Sequence, residues 1–264
     1  MASHRKHLIV SGRFPHLPAM SAILISVAFL SLTLAQSAHA AGGKIGLNFW
    51  TEDYGGSQSN TWLATNLSVG VVAQTNWNNV RTPFFMGDNL SASNFHTSVG
   101  AETPMTMYVD AGWSGYGEAR TNGIPSNNTG KLLNGRLVAH YGLNITINMD
   151  NVPFEAYDLY VYVSGPPSAS EAITLTSDGY TGPATYYLRY GEASSYTSFS
   201  RVTSTNPASP TAGANYVRFQ NVQDGSLSLY FDAAGDPGGK KRIYGMQFIE
   251  VDAPTETGAM ILAR

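Results

Sequence analysis

Residues 143–149, LNITINM, alternate without a break: Leu143, Ile145, Ile147 and Met149 fall on one side, Asn144, Thr146 and Asn148 on the other. A two-residue period fits a pleated strand with one dry and one wet face, and a helix cannot satisfy it. The same period returns in three other places. Lys44–Trp50 aligns Ile45, Leu47 and Phe49. Residues 105–110 set Met105, Met107 and Val109 against Thr106, Tyr108 and Asp110. Tyr157–Ser164 sets Tyr157, Leu159, Val161 and Val163 against Asp158, Tyr160, Tyr162 and Ser164. With residues 173–176, 185–190, 217–219, 227–231 and 242–251, the pattern predicts about nine strands. Gly245 interrupts the last of them and marks a bulge.

Strands of this kind bury one face and favour antiparallel pairing. No long segment carries a 3.6-residue apolar period, and the best helical candidate, residues 131–138, is short. A parallel βαβ sheet would lack its crossover helices. The predicted class is therefore all-β: an antiparallel β-sandwich of jelly-roll type. Composition agrees, with 27 Gly, 15 Tyr and only 12% charged residues. The poorly patterned stretch 191–214, rich in Ser, Thr and Pro, is expected to be a surface loop.

Residues 1–40 have the order of a secretory signal: a basic start (Arg5, Lys6, Arg13), an apolar run over 22–35, and Ala38-His39-Ala40 as the cleavage pattern. The run is shorter than the roughly 20 residues that span a bilayer. Translation is expected to start at Met1 or at Met20. The expected organisation is a leader over 1–40, one domain over 41–252 and a short tail over 253–264, with the product outside the cell or in its envelope and no membrane span after cleavage. The whole chain carries a net charge of −3. Removing the leader takes away three cations and no acid, so the mature chain is more acidic still. The longest basic patch is Lys240-Lys241-Arg242. Nucleic acid and anionic membrane surfaces, which need a positive footprint, are not expected partners. The chain has no Cys, which removes thiol catalysis and thiolate metal sites. His96 and His140 alone remain after residue 40, too few for a multi-histidine centre.

Several segments, in their order and spacing, resemble one family. They are IGLNF (45–49), GVVAQTNWNN (70–79), KLLNGRL (131–137), VPFEAYDLYVYVS (152–164), NYVRF (215–219) and IYGMQF (243–248). The family comprises exported bacterial proteins of largely unknown function, many with a PEP-CTERM sorting tail. The resemblance implies a galactose-binding-like sandwich, distantly similar to malectin-type carbohydrate modules. The tail departs from the pattern: after Pro254-Thr255-Glu256 only six small or apolar residues precede Arg264. No sugar-binding residue of malectin-type modules transfers by position.

No G-x-S-x-G, H-E-x-x-H or Walker loop is present. Carboxylates for a glycosidase pair exist (Glu52, Asp53, Asp110, Glu118), but no motif links them. Sugar sites combine an aromatic platform with a few placed polar groups. By residue type, the candidates are Asp53 and Tyr54 after the first strand, Trp113 and Tyr116 after the 105–110 strand, and Trp77 among Asn76, Asn78 and Asn79. Trp is usually buried, so Trp77 reads more readily as core, with the amides holding a turn. Tyr160 and Tyr162 read as covered by a loop or as part of a central strand. By resemblance, a structural Ca²⁺ would take Asp232 and Asp236 in DAAGDPGG as oxygen donors, against the simpler reading of a solvated turn. No cofactor is expected. The chain reads as an exported, non-catalytic module that binds carbohydrate or exopolysaccharide, or is structural in the envelope or matrix. The alternatives are a secreted glycan hydrolase and a ligand-free surface protein.

Overall fold

The alternating segments do become strands, and their dry sides meet. The computed structural model describes residues 43–51, 62–83, 89–112, 116–119, 128–139, 143–164, 169–190, 198–232 and 241–253. Asp53, Tyr54, Trp113, Asp236, the leader and the tail from Pro254 lie outside the described residues. One sheet runs β12 (Tyr216–Val222), β8 (Tyr157–Ser164), β14 (Lys241–Glu250), β1 (Lys44–Trp50), β2 (Asn78–Arg81). The long β14 pairs β1 along its C-terminal part and β6 (Gly135–Ala139) along its N-terminal part, and β6 carries β5 (Tyr116–Ala119). The second sheet runs β11 (Thr211–Ala212), β10 (Thr185–Arg189), β9 (Ser170–Thr176), β13 (Leu227–Asp232), β7 (Ile145–Asp150), β4 (Thr106–Asp110), β3 (Leu90–Ala92). Ile45, Leu47, Phe49, Leu159, Val161 and Phe248 of the first sheet share one buried cluster with Met107, Val109, Ile147, Ile173, Leu229 and Phe231 of the second. This is a two-sheet β-sandwich, and the dry sides of the alternating strands form its interior. No helix among the described residues is long and apolar enough to cross a membrane.

The sheets are mixed rather than purely antiparallel. β1 pairs β2 in parallel, and β10 pairs β11 in parallel. Both connections are long, over 51–77 and 190–210, which gives the chain the reach a parallel return needs. The helix expected over 131–138 is a correction of another kind. Helix α1 occupies Asn128–Leu132, and Gly135–Ala139 is a strand instead. All five β6 residues are buried, so no alternation shows in the sequence. The bulge at Gly245 is present: the register of β14 against β8 shifts between Ile243 and Gly245. A side chain there would begin 2.2 Å from the Leu47 carbonyl oxygen, so only glycine lets β1 and β14 approach this closely.

The two sheets differ on their outer sides. The outer side of the first is buried under a second apolar cluster, in which Leu63, Val69 and Trp77 from the 62–77 segment and Leu132 and Leu133 from α1 and its end cover Tyr160, Tyr162 and Tyr244. Phe199 and Tyr216 close the same layer against Tyr162. Tyr162 and Gln247 are hydrogen-bonded under this cover. The Tyr162 hydroxyl donates to Gln247 Oε1 (2.8 Å) and accepts from the Val71 amide (2.9 Å), while Gln247 Nε2 donates to the Val72 carbonyl and to Gln74 Oε1. Complete burial drives the Tyr162 hydroxyl pKa well above its ordinary value, the Val71 amide opposing. The outer side of the second sheet has no such cover over Tyr108 and Tyr230, which stand exposed.

Candidate functional site

The open side of the second sheet is built from the wet positions of the alternating strands. Registers line them up in rows. One row reads Ser91, Tyr108, Asn148, Ser228, Thr176 across β3, β4, β7, β13 and β9. The next reads Asp110, Thr146, Tyr230, Thr174, Thr185 across β4, β7, β13, β9 and β10. Tyr108 is 40% exposed and Tyr230 37% exposed, and both are flanked by small polar side chains. Neighbouring hydroxyls are themselves linked, Thr174 Oγ1 lying 2.9 Å from Thr185 Oγ1.

The two tyrosines are held in the same way. Asn89 Nδ2 donates to the Tyr108 hydroxyl, and Asn144 Nδ2 donates to the Tyr230 hydroxyl. Each asparagine precedes the strand beside the tyrosine and stands one residue before a registered pair, Leu90 with Val109 and Ile145 with Phe231. The contact is therefore diagonal in both, a geometry that long and aromatic side chains reach across adjacent strands. Holding the ring at its hydroxyl restricts its rotamers before any ligand arrives, which lowers the entropy lost on binding. Beside Tyr108 a hollow of about 300 Å³ is lined by Ser91, Ser93, Thr106 and Asp150. An aromatic ring, two serine hydroxyls, a threonine hydroxyl and an exposed carboxylate thus converge on one concave spot. Such a set can stack against an apolar CH face and exchange hydrogen bonds with hydroxyls.

Of the candidate ligand-binding residues singled out from sequence, Trp77 alone has a described side chain, and it lies in the layer over the first sheet. Trp77 is 3% exposed and presents no ring face to a ligand. Its Nε1 donates to the Gln74 carbonyl (3.1 Å), and its ring lies over Gly46, where an added Cβ would sit 2.6 Å from it. The three surrounding amides are structural. Asn76, at φ 52°, donates to Ser98 O; Asn78 bridges Gly46 O and the backbone of His96; Asn79 pairs both backbone groups of Leu63 and accepts from Asn48. Trp77 is packed as a core side chain of the layer over the first sheet. Tyr116 lies in β5, and its side chain is outside the described residues, as are Asp53, Tyr54 and Trp113. Asp232 ends β13, and its suggested Ca²⁺ partner Asp236 lies outside the described residues; among those described, no group of three His, Asp or Glu gathers for a metal.

Tyr108 and Tyr230 escaped sequence reading because their pattern is shared with Tyr160 and Tyr162. All four occupy polar positions of alternating strands, and only the cover over the first sheet separates buried from exposed.

No family model matches the chain, and no curated protein matches it. Solved structures do resemble it at a distance. A carbohydrate-binding module, TmCBM61, solved with β-1,4-galactotriose, is similar over 56% of this chain and 89% of its own, with TM-score 0.34 and 9% identity. The CBM36-1 domain of a xylanase from the hindgut metagenome of Trinervitermes trinervoides is similar over 52% of this chain and 91% of its own, with TM-score 0.27 and 12% identity. An exo-β-1,3-galactanase from Phanerochaete chrysosporium is similar over 51% of this chain and 26% of its own, with TM-score 0.28 and 13% identity. Likenesses this remote assign no site and no activity.

Proposed function

We propose that the chain is an exported β-sandwich module that binds carbohydrate on the open side of its second sheet. The observation that carries this reading is the pair of exposed tyrosines, each held at its hydroxyl by an asparagine, in a field of Ser, Thr, Asn and Asp side chains. Sugars offer apolar CH faces to aromatic rings and hydroxyls to amides and carboxylates, and this surface supplies both. Export rests on the order of basic, apolar and small residues over 1–40, in keeping with the resemblance to exported bacterial proteins.

A glycan array probed with the purified chain, followed by affinity electrophoresis of Tyr108→Ala and Tyr230→Ala, tests the reading. Retention of at least one glycan is expected, lowered about tenfold or more by either substitution, as for a central aromatic anchor. Circular dichroism should show both variants folded, because each ring stands partly in solvent. Absence of any retained glycan, or binding indifferent to both substitutions, overturns the reading and leaves a ligand-free structural role.

A further inference from the structure

The registers of the second sheet place a third tyrosine in line with the first two. Tyr108 pairs Asn148, which pairs Ser228; Tyr230 stands two residues further along β13. Tyr230 pairs Thr174, which pairs Thr185; Tyr187 stands two residues further along β10. The step from Tyr108 to Tyr230 and the step from Tyr230 to Tyr187 are therefore the same: two strands across and two residues along, in the same direction. Strands about 4.8 Å apart, with a rise of about 3.3 Å per residue, make each step about 12 Å and the whole line about 23 Å. Tyr187 is partly exposed, and its neighbours Tyr186 and Leu188 point into the core, so its ring belongs to the same outer side as the other two.

The ground between the rings is neutral and hydroxylated. The outward positions of β4, β7, β13, β9 and β10 are Ser, Thr, Asn, Ala, Asp and Tyr, with one cation, Arg189, in the last row. The acids Asp110, Asp150 and Asp232 flank the line rather than occupy it. Carboxylates without matching cations disfavour an anionic ligand, and a neutral polyhydroxylated one meets no unpaired charge. A straight, evenly stepped row of rings also suits one ligand shape. A compact sugar would cover a single ring, whereas an extended chain would engage three in succession, each contact after the first being intramolecular.

We propose that this face takes a neutral, unbranched polysaccharide in extended conformation, lying diagonally across the strands over Tyr108, Tyr230 and Tyr187, with Tyr187 setting the length that is recognised. The proposal rests on the sugar-binding reading of the same face and adds the ligand's form to it.

Calorimetry with ladders of linear β-1,4- and β-1,3-linked gluco- and galacto-oligosaccharides, from disaccharide to decasaccharide, with the parent polymers, provides the test. For at least one ladder, affinity is expected to climb with length until the oligomer spans about 23 Å and then to level off. In Tyr187→Ala the plateau should arrive at a shorter oligomer, with a loss of affinity that grows with oligomer length, while Tyr187→Phe should keep the parent profile. Tyr187→Thr, which preserves strand preference, repeats the test should the alanine variant fail to fold. Affinity independent of length, or a Tyr187→Ala variant that is unchanged or weakened equally at every length, overturns the linear array while leaving sugar binding at Tyr108 and Tyr230 intact. No binding to any ladder or polymer overturns both.

Discussion

Trp77 shows how one side chain changes meaning between sequence and structure. Three asparagines around an indole have the composition of a sugar site, yet each amide is spent on backbone and the ring is sealed against Gly46 and Tyr162. Its removal is therefore a stability question. Trp77→Ala should cost about 3–5 kcal/mol, the range for emptying a buried aromatic site, measured by urea unfolding. An unchanged unfolding midpoint would show that the ring is not a core element. Tyr162 carries a similar expectation of smaller size. Tyr162→Phe leaves the Val71 amide without its acceptor and Gln247 Oε1 with only the long contact from the Val72 amide (3.5 Å), so a loss of about 1–3 kcal/mol is expected in the same experiment. A neutral outcome would mean that the segment over the first sheet is held by apolar contact alone.

Among the elements, the turns between strands are tied to one another as well as to the sheets. Asp224, in the turn between β12 and β13, accepts from the Asp178 amide and the Ser177 hydroxyl in the turn between β9 and β10, and from the Ser226 amide. These donors, the Ser226 amide foremost, hold its carboxyl below the ordinary value of 3.8. The folded form thus prefers the carboxylate more than the unfolded form does. The resulting stability is fully present above pH 3.8 and is lost as pH falls below it, through the lowered folded value. Thermal unfolding between pH 5 and pH 2 should show a shallower loss for Asp224→Asn than for the parent chain; parallel curves would remove Asp224 from the acid response. Element prediction from sequence succeeded where apolar and polar residue types alternate, even in β1 and β8, whose outer faces are covered. β1, β7 and β8 alternate over their whole length and were legible. β6 is buried on both sides and carries no period, while β2, β3 and β11 are too short to show one.

At the scale of the whole molecule, one sheet is wrapped on both sides and the other on one. Hydrogen exchange should follow that asymmetry. The slowest amides are expected in β8 and β14, central strands buried on both faces, and the fastest in β3 and β11 at the margins of the second sheet. Equal protection in the outermost and central strands would contradict it. The alternating strands by themselves determined an all-β chain whose dry faces must meet, because a period of two leaves an apolar side that only another apolar side can cover. They also determined which tyrosines point away from that core. Which of those tyrosines meets solvent was decided by tertiary structure. Leu63, Val69, Trp77 and Leu133 settle over Tyr160 and Tyr162, whereas Tyr108 and Tyr230 stay open. Strand order and register are long-range pairings, and no local pattern records them. The straight line from Tyr108 through Tyr230 to Tyr187 is therefore absent from the sequence and appears only when five strands from distant parts of the chain lie side by side.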